Sequence, residues 1–163
     1  MKSSLVNVVR DAIYSDESAP DVKQLWFNGK RIENGMEINS AVCMIAKNAT
    51  EKCTRDSYVF NFDPSSMLTY KEIALEKEVL FAMRCANDDR FCVLSLDDVL
   101  KLQGARENCQ SLDATKQLPI KVDITSSKSF RAYVNGGGKL NPVGVIKKPT
   151  GLLTKSVKKY WLV

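Results

Sequence analysis

Histidine is absent from this 163-residue chain. Without imidazole there is no Ser-His or Cys-His nucleophile, no histidine general base and no His-ligated zinc, so several large enzyme classes are excluded at the outset. Long apolar runs are missing as well. None approaches the ~20 residues that a membrane-spanning helix requires, and Met1-Lys2-Ser3-Ser4 leads into an amphipathic stretch interrupted by Arg10 and Asp11, unlike a secretion signal. The five cysteines (Cys43, Cys53, Cys85, Cys92 and Cys109) are irregularly spaced and form no C-x-x-C pair. Reduced, mostly buried thiols in an intracellular, cytoplasmic-type reducing compartment are the expectation.

What is present is an ordinary globular composition, with 44% hydrophobic and 26% charged residues. A chain of this length buries roughly 70% of its extended surface, so it needs neither metal nor disulfide to fold. The reading is one α+β domain over residues 1–163, with an antiparallel or mixed sheet, about four helices and a C-terminal third that is mainly β. No repeat or heptad pattern divides it.

Leu5, Val9, Ala12 and Ile13 recur at helical spacing behind Ser3-Ser4, which predicts a helix over 4–14. Asn28-Gly29, between Lys23–Phe27 and Lys30–Ile32, has the chemistry of a type I′ hairpin turn. Ile38, Val42, Ile45, Ala46, Ala49 and Cys53 share one face of a helical wheel, predicting a helix over 37–53. Residues 58–62 read as a strand ending at Asp63-Pro64. Thr69 and Glu72 have capping-box spacing, predicting a helix from there to Ala86, buried along Leu75, Val79, Ala82 and Met83. Arg90–Leu94 reads as a strand, and Ser95 with Asp98 as the cap of a short helix closing at Gly104. A loop over 105–117 is followed by strands at 118–124, 130–134 and 143–146, with a glycine turn at Asn135-Gly136-Gly137-Gly138. Residues 152–163 lean towards helix.

Charge is unevenly placed. Residues 1–113 carry fourteen Lys/Arg against eighteen Asp/Glu, a balance of −4, whereas residues 114–163 carry ten against one, a balance of +9, giving the net +5 of the chain. Lys147, Lys148, Lys155, Lys158 and Lys159 run up to Tyr160 and Trp161, flanked by Lys128, Arg131 and Lys139. Cations displace counterions from phosphates and an aromatic face stacks on a base, so this third is read as a nucleic-acid-binding surface, with Trp161 as the stacking candidate and little sequence preference. The competing reading is a non-enzymatic interaction module or inhibitor whose positive surface meets an acidic protein. A solvated lysine coat neutralised by the acidic part is the plain account of the same residues.

Other motifs carry less. Gly136-Gly137-Gly138-Lys139 lacks the Walker pattern's first glycine, replaced by Tyr133, and its Ser/Thr, replaced by Leu140. Asp63 and Asp123 are candidates for a two-carboxylate metal site in a nuclease, but neither is followed by the acid-x-Lys triplet of that chemistry. Ser156 and Lys159 have Ser-x-x-Lys spacing within a basic tail, a match common by chance. No zinc-finger, RNP or basic-zipper signature is present, and no cofactor or membrane partner is expected.

Overall fold

A computed structural model describes residues 4–14, 20–49, 57–109, 117–124, 129–135, 142–149 and 153. Within them the order is α1 (Leu5–Tyr14), β1 (Val22–Phe27), β2 (Lys30–Ile38), β3 (Val42–Ala49), β4 (Tyr58–Phe62), α2 (Pro64–Ile73), β5 (Glu78–Cys85), a single 3-10 turn (Ala86–Asp88), β6 (Arg90–Ser95), α3 (Leu96–Cys109), β7 (Leu118–Ile124), β8 (Ser129–Asn135) and β9 (Pro142–Pro149). The class is α+β, with three α-helices among the described residues where about four were expected.

The strands form a five-stranded mixed sheet, β1-β2-β3-β5-β6, and a four-stranded antiparallel sheet, β4-β7-β8-β9. Asn28 and Gly29 both take positive φ, 49° and 75°, and join β1 to β2 as the Asn-Gly signal predicts. Among the described strands only β3 and β5 run parallel. Parallel neighbours need a crossover connection, and the chain makes it by visiting the second sheet as β4 and returning through α2.

Two core clusters follow from strand alternation. On one face of the first sheet Met36, Ile38, Val42, Met44, Ala46, Leu80 and Ala82 pack with Val9 and Ile13 of α1. The other face, with Cys43, Ile45, Phe81, Met83 and Leu94, meets Phe60, Phe62, Ile120, Val122, Phe130 and Ala132 of the second sheet, closed by Met67 and Tyr70 of α2 and Val99 and Leu102 of α3. One apolar layer therefore holds both sheets.

Two predicted helices are replaced. Residues 37–49 form the end of β2, a turn in which Asn39 and Ser40 take positive φ, and β3. Residues 50–53 lie outside the described residues. Every residue from Val42 to Ala46 is buried because the first sheet is covered on both faces, and a continuous apolar run mimics the wide stripe of a helix. The same cause turns Glu78–Cys85 into the strand between β3 and β6. Leu75, expected inside, is 85% exposed in the turn after α2. That helix starts at Pro64, not Thr69. The Asp63 carboxylate accepts from the Ser66 backbone N–H, and Pro64 supplies a preset φ in the first turn, where its missing N–H costs nothing.

The Ser95/Asp98 cap forms as read: the Asp98 N–H donates to Ser95 Oγ at 3.1 Å and the Ser95 N–H to the Asp98 carboxylate at 3.0 Å. The helix then runs past Gly104 to Cys109, because Leu102 and Ala105 pack into the layer between the sheets. Gly144, at φ +67°, lies against that helix: an added Cβ would stand 2.8 Å from the Ala105 Cβ. It sits where the β8/β9 register shifts, which lets α3 approach the sheet closely.

Cys43, Cys85 and Cys92 are buried, and burial pushes the Cys43 thiol up to about 11. No described helix is long and apolar enough to cross a membrane. The glycine turn at 136–138 and the segment 154–163, with Ser156 and Lys159, lie outside the described residues.

Candidate nucleic-acid interface

Alternation along the second sheet decides which basic residues face away from the core. Leu118, Ile120 and Val122 of β7, and Phe130, Ala132 and Val134 of β8, fill the core, so Lys121, Asp123, Arg131 and Tyr133 lie on the opposite, outer face, where Tyr133 is buried and Lys121, Asp123 and Arg131 are half-buried. The register aligns them into rows. Val59 pairs with Lys121 and Lys121 with Tyr133; in the next row Asp123 pairs with Arg131 and Arg131 with Lys147. Arg131 and Lys147 are thus directly opposite each other, with Cβ atoms about 5 Å apart by sheet geometry.

Lys147 and Lys148 point to opposite faces. Lys148 pairs with Phe130 in the register and turns inward, where its ammonium meets the Asp98 carboxylate of α3 at 3.0 Å. An acid of the first two-thirds of the chain has therefore taken up one of the candidate lysines. Burial works to raise the Asp98 pKa, but the Ser95 N–H and the Lys148 ammonium outweigh it and hold the carboxyl below the ordinary aspartate range. A depressed folded-state pKa stabilises fully above the unfolded value of about 4, and the contribution disappears as pH falls through the folded value. Thermal midpoints measured from pH 7 to pH 3 should therefore fall less steeply for Asp98→Asn than for the wild type. Parallel curves would show the pair to be neutral.

Beside the outer row, the Asp123 carboxylate accepts hydrogen bonds from Ser57 Oγ and from the Tyr133 hydroxyl at 3.2 Å, and Ser57 Oγ and the Tyr133 hydroxyl lie 2.9 Å apart. The Arg131 guanidinium lies 5.1 Å from the centroid of the Tyr133 ring. Burial is the main cause that raises the Tyr133 phenol; the bond with Ser57 pulls it down and the Asp123 charge adds to the rise. The phenol stays neutral and keeps Asp123 turned to it.

The pairing of Asp123 with Ser57 also separates it from Asp63. Tyr58 pairs with Val122 and Phe62 with Leu118, so the two acids stand at opposite ends of the β4/β7 pair, roughly 20 Å apart at about 3.4 Å per residue. They share no metal ion. The nuclease reading built on that pair is withdrawn.

No protein-family model, curated protein or solved structure matches the chain.

Of the nine candidate contact residues, the described ones are Arg131 and Lys147 on the outer face and Lys148 beneath it; Lys128, Lys139, Lys155, Lys158, Lys159 and Trp161 lie outside the described residues. The structure adds residues that the sequence reading passed over. Lys121 joins the outer face. At its β4 edge a cleft of about 490 Å³ opens between β2, β3, β4 and α2, lined among others by Arg31, Glu33, Lys47, Asn61 and Thr69. Lys47 spans the two sheets: its ammonium donates to the Asn61 carbonyl at 2.8 Å and lies 4.4 Å from the Phe62 ring centroid. Burial lowers its pKa, and the charge of Asp63 opposes that fall. Its signal in the sequence was a lysine ending the apolar run 42–46; a period of two puts it with Cys43 and Ile45, facing the second sheet, whereas a helical period hides it.

Proposed function

We propose that the outer face of the second sheet binds nucleic acid through its phosphates, with little sequence preference. The observation that carries this reading is the Arg131/Lys147 pair. Like charges directly opposite on a sheet destabilise it, and an anion bridging them converts the repulsion into two charge-assisted hydrogen bonds. Lys121 stands one strand further on in the neighbouring row. Asp123, the only acid in residues 114–163, stands opposite Arg131 and accepts from Ser57 and Tyr133, so it offsets one positive charge and leaves Lys147 and Lys121 as the excess of the described row residues. Lys128, Lys139, Lys155, Lys158 and Lys159 adjoin this face in sequence and extend the same chemistry, with Trp161 as a further stacking group.

The test is binding of labelled single- and double-stranded oligonucleotides across a salt series. Engagement of four or five phosphates gives a log–log slope of about −4 on duplex. Absence of binding even at low salt overturns the reading, and stoichiometric capture of an acidic protein in its place would identify the face as a protein interface.

A further inference from the structure

Runs of consecutive residues line the cleft: 31–34 of β2, 45–48 of β3 and 59–61 of β4. Side chains of a strand alternate between its faces, so neighbours in a row reach one cavity only where it opens along the strand's edge, at the level of the backbone. Two edges open there. The β2/β3 register ends at Gly35 and Ile45, where Asn34, at φ 56°, turns β2 away from β3. β4 is the outermost strand of the second sheet, paired with β7 alone among the described strands. Pro119 decides which β4 groups face the cleft. It stands opposite Asn61 and has no N–H to exchange, so theirs is a non-hydrogen-bonded pair, and the Asn61 N–H and C=O point away from β7. A period of two gives Val59 the same orientation. The Lys47 ammonium, donating to the Asn61 carbonyl at 2.8 Å, agrees with it. That bond serves one of four outward backbone groups; among the described residues the other three make no bond outside the strand ladder.

We propose that β4 takes an extended peptide segment of a partner protein as a fifth strand of the second sheet, paired along Val59 and Asn61 and carrying an aspartate or glutamate onto Lys47. A row of outward N–H and C=O groups is a template for a further strand, and main-chain bonds supply the affinity of such additions. Charge chooses the side chain. Lys47 makes no ion pair among the described residues, and Asp63, whose charge acts on it, is held by Ser65 and Ser66 at the start of α2. Arg31 and Lys47 also outnumber Glu33, the one acid of the lining. Residues of an added strand beside Val59 and Asn61 turn to the outer face, and the one beside the buried Phe60 turns into the cleft, which is where the acid belongs. Its carboxylate gives the Lys47 ammonium a charge-assisted bond and frees the Asn61 carbonyl for a peptide N–H. The inference stands on the edge of β4 and does not depend on what the outer face binds.

The experiment selects displayed random heptapeptides on the full chain and measures the synthetic forms of those selected by titration calorimetry. They should contain an aspartate or glutamate and bind with a Kd at or below about 100 μM. In a strand pairing only alternate peptide N–H groups face β4, so N-methylation of one alternate set should weaken binding at least tenfold and of the other less than twofold. Exchanging the peptide's acid for its amide should cost about tenfold on the wild type and less than twofold on Lys47→Gln, as expected when the two groups act on each other. The methylation series needs no variant and decides the question even if Lys47→Gln does not fold. Failure to select any peptide, equal effects of the two methylated sets, or an acid-to-amide loss undiminished in a folded Lys47→Gln each overturns the proposal and leaves the outer-face reading as it was.

Discussion

Phe81→Ala should destabilise the fold by about 3–5 kcal/mol, the range for deleting a large aromatic side chain from a close-packed interior. Phe81 is fully buried on β5, between β3 and β6, and its ring meets Phe62 and Tyr70 edge-on at centroid distances of 5.1 and 5.2 Å. Those partners belong to the second sheet and to α2, so one side chain joins three elements of the layer between the sheets. Edge-on pairs add about 0.5–1.5 kcal/mol each beyond the area they bury. Neither β5 nor β4 can close the void without breaking its ladder, and the cavity persists. Urea denaturation reads the effect as a lower midpoint at unchanged slope. Leu75→Ala, at the most exposed large hydrophobic residue described, should stay within about 0.5 kcal/mol of wild type and serves as the control. A Phe81→Ala midpoint equal to that control would show that the two sheets do not depend on this packing.

Elements whose signals are local were readable from the chain alone. The Asn28-Gly29 turn, the strand before Asp63-Pro64, the Ser95/Asp98 cap and the three strands of the basic third each rest on one or two turn or cap residues acting within a few positions of sequence. What failed was periodicity in Val42–Ala46 and Val79–Met83. Both runs are apolar on both faces because α1 covers one side of the first sheet and the second sheet covers the other, a tertiary fact that no window of local sequence contains. Asp63 and Thr69 show the second cause of error: Asp63-Pro64 reads as the end of a strand, yet the same two residues start α2, with Pro64 preset for its first turn.

The site was legible as an excess of charge and illegible as a geometry. Lys147 and Lys148 are equivalent in sequence, yet a register that places Lys147 beside Arg131 and Lys148 beside Phe130 sends one to the surface and the other to Asp98. That register depends on the irregularity of β9 at Gly144, itself fitted against Ala105 of α3. Moving β9 by one residue would exchange the two lysines.

The exchange of roles makes the largest binding prediction specific. Arg131→Gln combined with Lys147→Gln removes the two cations proposed to share a phosphate on the outer face, and should lower oligonucleotide affinity on the order of a hundredfold, taking about 1.5 kcal/mol for each charge-assisted hydrogen bond removed. The salt dependence must change with it, the log–log slope falling by about 2 in magnitude, one for each cation removed. Lys148→Gln should behave in the opposite way. Its ammonium already serves Asp98, so affinity and slope should hold near wild type while the thermal midpoint drops, because a partly buried carboxylate loses its partner. Binding at fixed protein stability separates the two variants: both are compared at a temperature well below either midpoint. Should Lys148→Gln weaken binding as much as the double variant does, the distinction between inner and outer face has no part in recognition, and the positive charge of the last fifty residues acts as an undirected field.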